Sequence, residues 1–395
     1  MWAACQCAAL ALAASAAREL PPAAVVQGDS RAAATTHAAR GAAANPSSSA
    51  VSEVARASLE RGLAYLAAQQ ALEPAGALPA SGGSLAAPIA TTALGALAYM
   101  AGGNSPERGP RGHELALAID YLIARTELDP KAAHTGYIAQ QGDSQSRMHG
   151  HGFAALALAQ AYSMSPKSAR GARIERALAA AIECIEQSQG VEGGWYYEPV
   201  KGLQHEGSIT VCMLQALRAA HNAGLRVEKQ TIARAVDYLE RSQKDNGSFR
   251  YALGHEDSTV ALTAAAIASM NATGTYGGKR VQEGYAYLFR ELAVRDSIGG
   301  YAAEPQRIGK GVASGALVDP PLCTFYERIY VAQALWQHAD RRVFEDWAKK
   351  ETQRVLVAQA ADGSWHDPKY GDSYATAMNC LFLALPEGLL PIFQR

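Results

Sequence analysis

Gln243-Lys244-Asp245-Asn246-Gly247-Ser248-Phe249 returns near the end of the chain as Gln359-Ala360-Ala361-Asp362-Gly363-Ser364-Trp365. In both, a Gln precedes a short turn that carries glycine and then an aromatic ring. Working outward, glycine turns bearing an aromatic or Leu occur six times. They are Gly82-Gly83-Ser84-Leu85, Thr135-Gly136-Tyr137, Gly193-Gly194-Trp195, Gly247-Ser248-Phe249, Gly299-Gly300-Tyr301 and Gly363-Ser364-Trp365. Their last residues are 52, 58, 54, 52 and 64 positions apart. A period of this size marks a repeat architecture, in which each unit buries its apolar face only against its neighbours. Glycine supplies the positive φ of the connection, and the ring anchors the loop on adjacent units. Gln187, Gln243 and Gln359 stand near the ends of the preceding stretches. Their amides can satisfy free backbone groups at neighbouring helix ends.

Every turn follows an amphipathic stretch and precedes an apolar one. In the third unit Ile174, Ala177, Leu178, Ala181, Ile182 and Ile185 recur at helical spacing, with Arg173, Glu175, Arg176, Glu183 and Glu186 between them. Residues 54–70, 114–126, 229–243, 280–292 and 343–359 read the same way. The second stretches, 87–101, 150–162, 208–220, 258–270, 322–336 and 373–385, are apolar nearly all round. Such helices are buried on most sides. Two helix classes alternating six times predict an all-α, α/α toroid, an (α/α)6 barrel: six inner helices in a ring, six outer helices around it. Parallel inner helices open their N-termini on one mouth and concentrate partial positive charge there.

The chain has 395 residues, a net charge of -1 and a pI near 6.8. This carries no basic footprint for nucleic acid, and no apolar run is long enough for a transmembrane segment. Residues 1–17 are Ala/Leu-rich, lack charge and end in Ala14-Ser15-Ala16, which reads as an export signal. Residues 18–51 are rich in Ala, Ser and Thr with Pro21, Pro22 and Pro46, and read as a disordered linker before a toroid domain at 52–395. Four cysteines follow the signal, Cys184, Cys212, Cys323 and Cys380, without the paired spacing of a structural zinc site. Cys184 and Cys212 fall at matching heights on two arms of one hairpin. They read as buried thiols, with a disulfide as the alternative in an oxidising compartment.

The Gln and Gly-x-aromatic turns on alternating helices resemble the repeats of the squalene cyclase and protein prenyltransferase superfamily. The resemblance covers residues 52 to 386 and is closest to the single-domain, exported bacterial prenyltransferase and squalene oxidase repeat proteins. It implies the same toroid. It also implies two chemistries that the residues match poorly. Cyclases of this kind protonate an alkene from an Asp in a D-x-D-D-T motif, where this chain has His255-Glu256-Asp257-Ser258-Thr259. Only Asp257 and Thr259 agree, so Asp257 is a weak candidate acid. Prenyltransferases hold zinc through Asp, Cys and His, whereas Asp319-Pro320-Pro321-Leu322-Cys323 has the wrong spacing and no His opens the last inner helix. No metal site or cofactor is expected.

Polar groups do gather at the inner-helix starts: Met148-His149-Gly150-His151, His205-Glu206, Glu256-Asp257, Tyr326-Glu327-Arg328, and Asp372 with Tyr374. Helix caps and turn hydrogen bonds account for such groups without chemistry. A ligand cleft accounts for them too, since concave mouths with converging polar groups bind ligands. Glu327 and Arg328 in an apolar helix are the sharpest sign of a pocket, because a buried charge is costly unless paired or facing a cavity. The expected function is binding of a small-molecule or protein ligand at the ring mouth, with the outer helices as a further partner surface. The alternatives are a terpenoid cyclase or prenyltransferase using Asp257, and a carbohydrate-active toroid with paired carboxylates among Glu206, Asp257, Glu327 and Asp372.

Overall fold

The computed structural model describes residues 46–73, 75–80, 83–274, 276–297 and 324–393. The expected export signal, residues 18–45 of the expected linker, Gly82, the Gly299-Gly300-Tyr301 turn and the Asp319 to Cys323 stretch lie outside them. The chain divides into two units, Met1–Glu53 and Val54–Arg395. Of the first, only the opening of α1 is described.

Twelve α-helices are described, and they follow the alternation of the sequence. The outer set is α1 (Pro46–Gln70), α3 (Gly112–Ala124), α5 (Ala169–Ser188), α7 (Lys229–Ser242), α9 (Lys279–Ser297) and α11 (Arg341–Val357). The inner set is α2 (Pro88–Ala101), α4 (Arg147–Met164), α6 (Gly207–Asn222), α8 (Val260–Ala272), α10 (Thr324–Trp336) and α12 (Asp372–Ala384). α1 begins at Pro46, inside the stretch read as linker; a proline opens a helix readily because its missing N–H has no intrahelical partner there. Each inner helix packs on the next, and α12 returns to α2, so the ring is closed. Neighbouring inner helices join at their N-terminal ends. The Ala90 amide donates to Ser146 Oγ at 3.1 Å, and His149 Nε2 lies 3.0 Å from Ser208 Oγ. Hence the inner helices run parallel, and each outer helix runs against them.

The turns work as interlocks between units. Gln243 Nε2 donates to the Gly247 carbonyl of its own turn at 3.1 Å and to Arg280 O at the start of α9 at 2.7 Å. Gln359 does the same to Gly363 O and to Ser58 O of α1, both at 2.9 Å. In the third unit the role belongs to Gln189, which reaches Gly193 O and Thr231 O at 2.9 Å. Gln187, expected there, is exposed and bonds Glu183, because it lies inside α5, two residues before the C-cap Gln189. The first unit also differs from the expectation. Its interlock is Gln70 on Gly76 O and Glu114 O, and Leu78 stands where Leu85 was expected. Glycine is required at these turns. Gly193 and Gly363 both have φ 92, and an added Cβ would collide with the carbonyl of Arg234 and of Arg61, each on the next outer helix.

The residue two beyond each such glycine is fastened to its inner helix. The amides of Leu78, Trp195, Phe249 and Trp365 donate to the hydroxyls of Thr92, Thr210, Thr263 and Thr376 at 2.9 to 3.1 Å. The indoles of Trp195 and Trp365 donate to Ile185 O and Val355 O at 2.8 Å, satisfying carbonyls near the C-termini of α5 and α11. Cys184 and Cys212 are free and buried, and no disulfide joins them. Burial pushes the Cys184 thiol up to about 12.

Candidate functional site

His151 is the fifth member of the anchoring series. Its Nδ1 accepts the Ile138 amide at 3.0 Å, the position that a threonine hydroxyl fills in four other units. The imidazole is fully buried, and burial lowers its pKa to about 4. It is therefore a neutral turn anchor. Aligning the units on Gly136 rather than on its aromatic neighbour is the signal that separates it from the mouth.

Glu206 and His149 come together. Glu206 is the N-cap of α6 and is completely buried. Its carboxylate accepts the Ser208 amide at 3.0 Å, the Ile209 amide at 2.8 Å and the Ser208 hydroxyl at 2.6 Å. Burial raises its proton affinity, and the Ser208, Ile209 and Tyr251 donors oppose that. The Ser208 hydroxyl has one hydrogen, which the carboxylate takes, so His149 Nε2 is the donor toward Ser208 Oγ. Burial keeps His149 neutral, with its pKa lowered to about 3. An acid–hydroxyl–imidazole chain thus ties α6 to α4. Its order differs from that of a nucleophilic triad, in which the imidazole takes the hydroxyl proton and the acid orients the imidazole. Here the acid already holds the serine. Beside it, Tyr197 and Tyr251 join through their hydroxyls. Arg147, which opens α4 at φ 45, has its guanidinium 5.5 Å from the Tyr197 ring centre.

The three residues of α10 separate. Tyr326 is buried with its ring 4.6 Å from Tyr330, and burial drives its hydroxyl pKa well up. Glu327 turns outward and pairs with Arg295 of α9. Arg328 turns the other way, donating from Nε to Glu351 of α11 at 2.7 Å and from Nη1 to Asn379 Oδ1 of α12 at 2.8 Å. Glu351, also fully buried, holds Arg354 at 2.9 Å. Both buried charges of α10 are thus paired into the wall between the helix layers.

The remaining predicted residues are peripheral. Glu256 is exposed, and Lys244 at 3.2 Å with Arg250 at 3.5 Å holds its carboxyl below the usual range. Asp257 is exposed on the loop before α8, where Thr259 provides the cap by accepting the Leu262 amide. His205 Nδ1 meets Tyr238 OH at 3.1 Å. Asp372 faces His366 at 2.7 Å, and Tyr374 packs its ring against Phe325 and Tyr370.

Among the described residues, side chains line the centre of the ring closely. Leu97, Phe153, Leu156, Tyr330, Met378 and Leu381 meet there, and Phe393, from the short helical turn Pro391–Phe393, lines the same void. About 20 Å³ remains, room for roughly one water. A larger cavity of about 280 Å³ lies in the wall, bordered by Phe325, Arg328, Val355, Trp365, His366 and Asn379. No helix among the described residues is long and apolar enough to cross a membrane, and no group of three or more His, Cys, Asp or Glu among them could hold a metal ion.

No family model matches the chain, and no curated protein matches it in sequence. Solved structures resemble it in fold. An α-1,6-mannanase from Salegentibacter covers 86% of this chain and 99% of its own at TM-score 0.56 and 10% identity. A type II terpene cyclase from Scytonema, in complex with geranylgeranyl dihydroxybenzoate, covers 87% and 99% at TM-score 0.52 and 16% identity. A cellobiose 2-epimerase from Bacillus thermoamylovorans covers 75% and 87% at TM-score 0.51 and 12% identity. Such low identities make this a likeness of architecture, and the α/α toroid hosts more than one chemistry.

Proposed function

We propose that the chain is a binding toroid that recognises a ligand at the mouth of its ring, without the alkene-protonating or prenyl-transfer chemistry of the superfamily its repeats resemble. The observation that carries this reading is the narrow central void among the described residues. A polyene substrate needs a dry chamber of several hundred Å³, whereas the central void holds about 20 Å³. Asp257, the only residue matching the cyclase acid, is exposed on the loop before α8 and not enclosed in a chamber. The Glu206, Ser208 and His149 cluster at the starts of α4 and α6 supports a polar mouth instead. The Ala/Leu-rich opening that ends in Ala14-Ser15-Ala16 supports export, which would place the ligand or partner outside the cytoplasm.

The test is incubation with squalene and a series of prenyl diphosphates, followed by mass spectrometry, with Asp257→Asn alongside. No product is expected from either protein. A cyclised or transferred product that disappears in the variant overturns the reading and makes Asp257 the acid.

A further inference from the structure

The turns after α7 and α11 match bond for bond around an amide-for-acid exchange. After α7 the Gly247 amide donates to Lys244 O at 2.9 Å and the Lys244 amide to Ser248 O at 2.8 Å. After α11 the Gly363 amide donates to Ala360 O at 3.0 Å and the Ala360 amide to Ser364 O at 2.9 Å. Gly247 has φ 91 and Gly363 φ 92. Asn246 Oδ1 accepts the Ser248 amide at 3.0 Å and the Ser248 hydroxyl at 2.7 Å. Asp362 Oδ1 accepts the same two groups of Ser364 at the same two distances. Ser258, 2.9 Å from Ser248 Oγ, can donate to it in turn. Asn246 and Asp362 are both exposed. With Oδ1 turned to Ser248, Nδ2 of Asn246 is the atom left outside, where Asp362 carries its second oxygen. Asn246-Gly247 is also the single Asn-Gly step of the chain. Glycine has no Cβ to shield its amide nitrogen, so that nitrogen can reach Cγ of Asn246 once the turn lets go.

We infer that Asn246 is a deamidation site gated by its turn, and that the fold accepts the aspartate it yields. In the closed turn the Gly247 N–H is committed to Lys244 O and the side-chain oxygen to Ser248, which holds the reaction back. When the turn opens, Gly247 N bonds to Cγ of Asn246 and gives its proton to solvent. The Cγ–Nδ2 bond breaks and ammonia leaves. Water then cleaves the new N–Cγ bond, its hydroxyl staying on Cγ and a hydrogen returning to the nitrogen, so an aspartate stands at position 246 on an unaltered main chain. Cleavage at the other carbonyl gives isoaspartate, whose main chain is one carbon too long for the turn to close on the same bonds. With aspartate the turn recloses onto Ser248 as the later one does onto Ser364. There the Ser364 amide and hydroxyl hold the Asp362 carboxyl below its usual range. An ionised carboxylate resists attack, so the conversion runs one way. It places a negative charge beside Arg290 of α9, which donates to Asn246 O at 3.2 Å. This chemistry is independent of any ligand at the mouth.

The unaltered full chain is held in mildly alkaline buffer, folded and in urea, and mass spectrometry follows the tryptic peptide Asp245–Arg250. Acid at position 246 is expected to accumulate in both, about tenfold or more slowly in the folded chain, because opening of the turn precedes the chemistry. Asn246→Asp is expected to leave the thermal midpoint where it is. Equal rates with and without urea would overturn the gate. No acid in the folded chain over about a hundred half-lives of the unfolded one would overturn the site. A lowered midpoint in the variant, or its failure to fold, would overturn the accepted product. The rate comparison uses only the unaltered protein and does not depend on the variant folding.

Discussion

One position shows how a residue's role is fixed by its unit rather than by its chemistry. His151 reads from the sequence as a mouth histidine, yet it does the work of Thr92, Thr210, Thr263 and Thr376. The Gln and aromatic residues of the turns were legible because their spacing repeats. Gln189 was not separated from Gln187, because a two-residue difference in helix end is invisible to composition, and Gln70 escaped because its glycine comes two residues later. His149 and His151 add a pH dependence. Their folded pKa values lie near 3 and 4, below the unfolded value of about 6.5, so the folded state binds fewer protons between those limits. Their stabilisation is complete above pH 6.5 and is lost as pH falls toward 4. Each histidine costs on the order of 2 kcal/mol at pH 5. Glu206, whose proton affinity is raised, acts in the opposite sense: its contribution is complete at low pH and declines above the ordinary carboxylate range. Comparing His151→Thr with the unaltered protein at pH 7 and pH 5 tests this. The variant should lose less stability between the two, by about 2 kcal/mol in chemical denaturation; equal losses would show that His151 is not held neutral.

At the scale of the helix, α10 is the informative case. The sequence shows an apolar inner helix with Glu327 and Arg328 side by side, and either a cavity or a partner could account for them. The partners prove to be Arg295 and Glu351 on the two flanking outer helices. Nothing local names them, since Arg328 and Glu351 are 23 positions apart and sit in an ordinary charged amphipathic pattern. Helix type is written in periodicity, whereas the choice of ionic partner is a tertiary event. The pairing has a measurable asymmetry. Glu351→Ala should cost about 3 to 5 kcal/mol by stranding Arg328 in the wall, while Arg328→Met with Glu351→Leu should cost far less. Urea unfolding of both proteins checks this, and a single variant no worse than the double would mean that water reaches the pair.

For the whole molecule, the count of turns foretold a six-hairpin ring, and α12 returning to α2 closes it. What the sequence could not show is how narrow the central void is among the described residues, because a void is a property of facing helices and of where Phe393 comes to rest. Closure has a thermodynamic signature. In an open array the last unit frays, so damage there costs little. In a ring no unit is last. Gly247→Ala and Gly363→Ala would each drive a methyl into a carbonyl of the next outer helix, at Glu283 and at Arg61. Both should cost on the order of 3 kcal/mol, although Gly363 lies at the seam between the final turn and α1. A much smaller cost at Gly363 in denaturant titrations would mean that the ring opens in solution.

The opposed directions of the two helix layers have an electrical consequence at a distance. Every inner helix points one way along the ring axis and its outer neighbour points the other, so their dipoles cancel pairwise in the far field. With a formal net charge of only -1, the molecule presents almost no long-range potential. A charged solute feels the inner-helix amides only within about one Debye length of the mouth, roughly 8 Å in physiological salt. Encounter is therefore left to unguided diffusion, with an association rate nearly indifferent to ionic strength. For a ligand of the proposed mouth site, discrimination would begin only on contact with the ring.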